Sequence, residues 1–115
     1  MKMSGKKLHR RGEIYWASLD PTVGSEVKKR RPCLVVSNDI INEMSEVIIV
    51  APITSNVKKI YSCEVKSHIG KKLGKIMLQQ CRAVDKSRLE EKLEHLDFDV
   101  MSRVDEAIKV AFGLS

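Results

Sequence analysis

The chain has 115 residues, enough for one compact domain and too few for two. Hydrophobic residues make up 43% and charged residues 31%, which excludes a disordered chain and supports a core that needs no disulfide or metal to hold it. Lys and Arg number 21 against 15 Asp and Glu, and the resulting +6 favours an anionic partner: nucleic acid, an acidic protein segment or a membrane surface.

The three cysteines, Cys33, Cys63 and Cys81, are odd in number and far apart. They form no C-x-x-C, and no His stands at zinc-ligand spacing, so they read as buried free thiols in a reducing cytosol. The basic start, MKMSGKKLHRRG, lacks the apolar stretch of a secretory signal. No segment approaches the ~18 apolar residues of a membrane span. The expectation is one soluble, cytoplasmic domain over 1–115, with 1–10 a flexible basic lead-in.

In chain order, EIYWASL alternates as a strand, with Ile14, Trp16 and Ser18 on one side and Tyr15, Ala17 and Leu19 on the other. DPTVGSEVKKR is a loop, long for a hairpin and therefore a candidate functional segment. RPCLVVSND is an apolar strand buried on both faces, with Pro32 confined to its start or to an edge. IINEMS is a connector of about one helical turn. EVIIVAPIT is a second apolar strand ending at Thr54 and Ser55, in which Pro52 implies an edge or a bulge. YSCEVKS reads as a half-exposed strand, HIGKKLGK as a turn region, IMLQQCRAVD as a strand interrupted by Gln79, Gln80 and Arg82, and EKLEHL as a short strand. From Asp97 the period changes: Val100, Met101, Val104, Ala107, Ile108 and Ala111 recur at helical spacing, with Asp97 as N-cap and Gly113 as stop. Short strands followed by one amphipathic helix predict a mainly β fold with α, a strongly curved antiparallel sheet or partly open barrel.

Antiparallel pairing of RPCLVVS with EVIIVAPIT brings Arg31 and Thr54 to one rim, below the loop that carries Gly24, Ser25, Glu26, Lys28, Lys29 and Arg30. Arg31 precedes proline and so has a defined, extended backbone. An arginine beside a hydroxyl suits phosphate binding and stabilisation of a phosphorane. RNA carries its own nucleophile, the 2′-OH, so its cleavage requires only proton transfer and an electrostatic clamp. Arg31 is assigned to the phosphate, Thr54 to positioning it, and Glu26 to base or structural duty. A run of cations is also what a solvated face looks like, and a Thr at a strand end is often only a β-former. His9 and His68 read as exposed, His95 as structural, and Trp16 as core or interface. Aromatics at 4% argue against a surface of stacked bases. Gln79, Gln80 and Arg82 fit base reading and solvent exposure equally well.

RGEIYWASLDPTVGSE, KRRPCLVVSND, IIVAPIT and QCRAVDKSRL, followed by a final helix, together resemble the MazF/PemK family of toxin endoribonucleases from about Arg11 to Phe112. The resemblance implies an SH3-like antiparallel barrel working as a homodimer. It implies metal-independent, cofactor-free, sequence-specific cleavage of single-stranded RNA, chiefly mRNA, to 2′,3′-cyclic phosphate and 5′-OH ends. It also implies a cognate MazE-like antitoxin whose C-terminal tail occupies the RNA groove. It places the catalytic arginine on Arg31, the catalytic hydroxyl on Thr54 and the loop acid on Glu26. Gly24 and Ser25 lie beside that acid, and Gln80 matches a strand Gln near the RNA groove; Lys28, Lys29 and Arg30 make the loop more basic than the family's, and with Ser55 and Arg82 they are further expected RNA contacts of this sequence. The alternative is a CcdB-like toxin that binds gyrase through protein contact and cuts nothing.

Overall fold

The computed structural model describes residues 8–19 and 30–115. Among them the chain runs β1 (Glu13–Ser18), β2 (Arg30–Val35), α1 (Asp39–Met44), β3 (Val47–Thr54), β4 (Glu64–Ile69), β5 (Lys72–Met77), β6 (Arg82–Asp85), β7 (Leu89–His95) and α2 (Phe98–Phe112). The sheet order is β4-β5-β3-β2-β1-β7, with β6 paired to β3, and all these pairings are antiparallel. The register of β1 against β7 shifts twice, and such irregularities increase twist and bend the sheet into a half-barrel.

The near-continuous apolar runs of β1, β2 and β3 bury both faces. One face sends Ile14, Leu34, Ala51 and Ile53 against Val104 and Ala107 of α2. The other packs Tyr15, Ala17, Cys33, Val35, Ile48 and Val50 together. Helix α2 forms where the helical period begins: the Asp97 side chain accepts from Val100 N–H at 3.0 Å, and Gly113 ends the helix at φ 72°. Val104 and Ala107 are buried, while Val100, Met101, Ile108 and Ala111 pack partly buried around the same core. At α1, Asn38 caps by accepting from Ile41 N–H at 2.9 Å.

Pro52 sits inside β3, where an edge or bulge was expected. β6 pairs Val47 to Val50 and β5 pairs Ile53 and Thr54, so Pro52 falls where β3 changes neighbours and no ladder partner on that side requires its N–H. The expected turn HIGKKLGK is mostly strand: His68 and Ile69 pair with Leu73 and Lys72, leaving only Gly70 and Lys71 in the turn. The expected strand IMLQQCRAVD breaks at a 3₁₀ turn, Leu78–Gln80, that separates β5 from β6. His9, expected to be exposed in the lead-in, is buried against the Tyr15 ring, with centroids 4.8 Å apart. Cys33 is buried, but Cys63 and Cys81 are only half-buried; all three are free. The loop residues Gly24, Ser25, Glu26, Lys28 and Lys29 lie outside the described residues.

Candidate active site

The β2–β3 ladder pairs Val35 with Val50, Leu34 with Ala51 and Cys33 with Pro52. The paired stretch ends there, and Arg31 and Thr54 lie two residues further along β2 and β3, at the same end of the two strands. Both side chains are half-buried, and both line a cavity of about 640 Å³ and an adjoining hollow of about 460 Å³. Arg31 is fixed from its other side as well, since β1 pairs it with Ala17.

The Thr54 hydroxyl accepts from Asn56 N–H at 3.2 Å, which orients it and leaves its own proton to donate outward. The Cys33 thiol donates to the Arg31 carbonyl at 3.6 Å. Burial pushes that thiol up to about 12, and the Arg31 and Arg82 cations pull it back only in part. Cys33 is therefore a packing residue and not a nucleophile.

Among the described residues, the charged ones on the wall of the larger cavity are Arg31, Lys58, Lys59, Lys75 and Arg82, all cations. Lys75 is a residue that sequence reasoning missed. It pairs directly with Thr54 across β3 and β5. Its ammonium lies 2.8 Å from Glu64 Oε1 and donates to the Lys59 carbonyl at 2.7 Å. Glu64 also accepts from Tyr61 N–H at 2.9 Å and from Gln79 Nε2 at 2.7 Å. Burial raises the Glu64 carboxyl, but the bonds from Lys75, Tyr61 and Gln79 outweigh it and hold the group below its ordinary range. Tyr61 was missed too: its ring, half exposed on the cavity wall, has the Lys59 and Lys75 ammoniums 5.2 and 5.5 Å from its centroid. A two-residue turn at Gly70 and Lys71, flanked by alternating residues, was the signal that would have placed Lys75 on a strand beside Thr54.

Gln80 and Arg82 line the larger cavity with Arg31 and Thr54. Ser55 and Arg30 line the smaller hollow. Arg30 is engaged there, 2.7 Å from Glu90 and 3.7 Å from Glu91, with its guanidinium 5.0 Å from the Trp16 ring centroid. Gln79, open to two readings from sequence, is tied to Glu64 and lies off both cavity walls. Among the described residues, no three His, Cys, Asp or Glu side chains group closely enough to hold a metal ion.

Residues 10–112 match the PemK-like, MazF-like toxins of type II toxin–antitoxin systems. The chain belongs to this family. It is 41% identical over 113 residues to the endoribonuclease EndoA of Bacillus subtilis (strain 168), across 91% of this chain and 95% of that protein. The MazF crystal structure from Deinococcus radiodurans is 29% identical and superposes with a TM-score of 0.77 over 95% of this chain and 100% of that one. A MazE–MazF structure from the same organism is 27% identical, with a TM-score of 0.75 over 96% of this chain and 100% of that one. A Mycobacterial endoribonuclease solved with its cognate antitoxin shares the fold at 19% identity, with a TM-score of 0.80 over 93% and 97% of the two chains. The half-barrel with a C-terminal helix is thus the fold of MazF toxins.

Proposed function

We propose that this PemK/MazF-family toxin is an endoribonuclease that cuts single-stranded RNA, chiefly mRNA, at the Arg31–Thr54 rim. The observation that carries the reading is that Arg31 of β2 and Thr54 of β3 line one cavity whose charged residues, among those described, are all cations. Arg31 grips the scissile phosphate through its fork of N–H donors and stabilises the charge that builds as the 2′-oxygen attacks. Thr54 donates its hydroxyl proton to a non-bridging oxygen and fixes the phosphate for in-line displacement. The 2′-OH gives its proton to water as its oxygen bonds to phosphorus, the phosphorus–oxygen bond to the next nucleotide breaks, and the departing 5′-oxygen takes a proton from water, leaving a 2′,3′-cyclic phosphate and a free 5′-OH. The nucleophile belongs to the substrate, so the scheme calls for no metal. Gln80, Arg82 and Lys58 line the path of the flanking nucleotides. Similarity to EndoA and to MazF structures supports the same reading.

The +6 charge and the cationic cavity suit an acidic antitoxin tail, in keeping with the MazE–MazF complex of a relative. Apolar side chains exposed on α1 and β3, among them Ile40, Met44 and Val47, give a second copy of the chain a surface to cover. No helix among the described residues is long and apolar enough to cross a membrane, and an mRNA substrate places the toxin in the cytoplasm. Incubation with a long single-stranded RNA in excess EDTA tests the activity. Discrete fragments with cyclic-phosphate ends are expected. Intact RNA would leave a binding protein, of nucleic acid or of gyrase, in its place.

A further inference from the structure

We propose that Lys75 is a second cationic contact to the phosphate held by Arg31 and Thr54, and that Glu64 positions it; this rests on the reading of that pair given above. Thr54 and Lys75 are direct cross-strand partners, so their side chains leave the same face with Cβ atoms about 5 Å apart. The strands meet closely because Gly74 lies between: a Cβ there would stand 3.1 Å from the Thr54 carbonyl oxygen. The Lys75 side chain is only 11% exposed, yet it lines the cavity with Arg31 and Thr54. Two of the three ammonium protons go to Glu64 at 2.8 Å and to the Lys59 carbonyl at 2.7 Å. Among the described residues no acceptor takes the third, which leaves it for an incoming oxygen.

Glu64 is a fixed post. Its side chain is 2% exposed and is held by Tyr61 N–H as well as by Lys75. A surface lysine would have to be ordered when RNA arrives, whereas Lys75 is ordered beforehand. As the 2′-oxygen adds to phosphorus, Thr54 and Lys75 donate to the non-bridging oxygen nearest β5, and Arg31 to the other. Lysine stays protonated throughout, and no covalent bond to it forms or breaks. Were the pair only structural, the carboxylate would matter as much as the cation.

The test uses the full chain and single-turnover cleavage of a long single-stranded RNA. Lys75→Met alone would strand the Glu64 charge, so both charges are removed together and compared with Glu64→Gln. Glu64→Gln should keep cleavage within about tenfold, and Lys75→Met/Glu64→Gln should be roughly 10- to 100-fold slower still. The salt dependence of RNA binding should be shallower by about one log-log unit in the double variant than in Glu64→Gln. Equal rates and equal salt slopes in the two variants would overturn the proposal, as would a single variant as slow as the double one. Should the double variant not fold, Lys75→Gln, which keeps an amide donor towards Glu64, carries the same expectations. Arg31→Ala separates the two levels. If it cuts normally, the phosphate site itself is wrong; if it is dead while the Lys75 variants cut, only the Lys75 assignment fails.

Discussion

Arg31 of β2 and Thr54 of β3 both lie two residues beyond the Cys33–Pro52 pair and line the same cavity, whose charged residues among those described are all cations. The strand spacing sets the distance scale of the site. Adjacent strands lie about 4.8 Å apart, so a guanidinium and a hydroxyl on neighbouring strands can reach two oxygens of one phosphate. Ladder pairing holds both backbones, Arg31 against Ala17 of β1 and Thr54 against Lys75 of β5.

Replacing Thr54 isolates its share. Because the hydroxyl is oriented by Asn56 N–H and donates outward, it acts most as charge builds on the phosphate. Thr54→Ala should lower kcat by roughly 10²-fold with KM little changed, and Thr54→Ser should retain most of the rate. A raised KM at constant kcat, read from initial rates, would assign Thr54 to substrate binding instead.

RNA affinity should fall steeply with salt. Lys58 and Arg82 line the cavity as exposed cations. Changing either to Ala should weaken binding without altering the cleavage sites, and reduce the log-log salt slope by roughly one for each phosphate left without its cation. Fluorescence anisotropy from low to high salt reads this directly. A slope that stays the same would place those side chains off the RNA path.

Acid should destabilise the fold through Glu13 and Glu64. Burial raises both carboxyls, but for Glu13 the Tyr15 hydroxyl at 2.6 Å, Arg10 N–H at 2.9 Å and the Lys92 ammonium at 2.9 Å outweigh it. Both groups therefore titrate lower in the folded chain than in the unfolded one. Their contribution is fully present above the unfolded value, about 4.3, and fades as pH falls through the folded values. Urea midpoints between pH 7 and pH 3 should drop at the acid end, with a shallower drop in Glu13→Gln. A pH-independent midpoint would contradict the network.

Helix α2 offers a local check. Asp97→Ala removes the acceptor for Val100 N–H and should cost about 1 kcal/mol. Gly113→Ala forces a Cβ into φ 72° and should cost a similar ~1 kcal/mol. Chemical denaturation measures both, and cleavage should be unaffected, since α2 lines neither cavity.

Much of this was readable in the residues. The apolar runs at β2 and β3 pair antiparallel as the sequence predicts, which puts Arg31 and Thr54 at the same end of the two strands. The change of period at Asp97 marks α2 to the residue. Lys75 and Tyr61 escaped for a physical reason: two glycines and three lysines within the six residues from Gly70 to Lys75 mimic a loop, while a tight turn and a close strand approach are what those glycines serve. The 3₁₀ turn at Leu78–Gln80 was hidden because neither Gly nor Pro marks the break within IMLQQCRAVD. Tyr61 shows that scarce aromatics say little about where one of them lies.

The most direct test of the central claim is cleavage of a long single-stranded RNA in EDTA by the unaltered chain and by Arg31→Ala, with folding of both verified by circular dichroism. The unaltered chain should yield fragments with 2′,3′-cyclic phosphate and 5′-OH ends, and Arg31→Ala should lose at least roughly 10²-fold in rate while keeping the same melting profile. A folded Arg31→Ala chain that cuts at the original rate would show that the guanidinium at this rim does not hold the reacting phosphate.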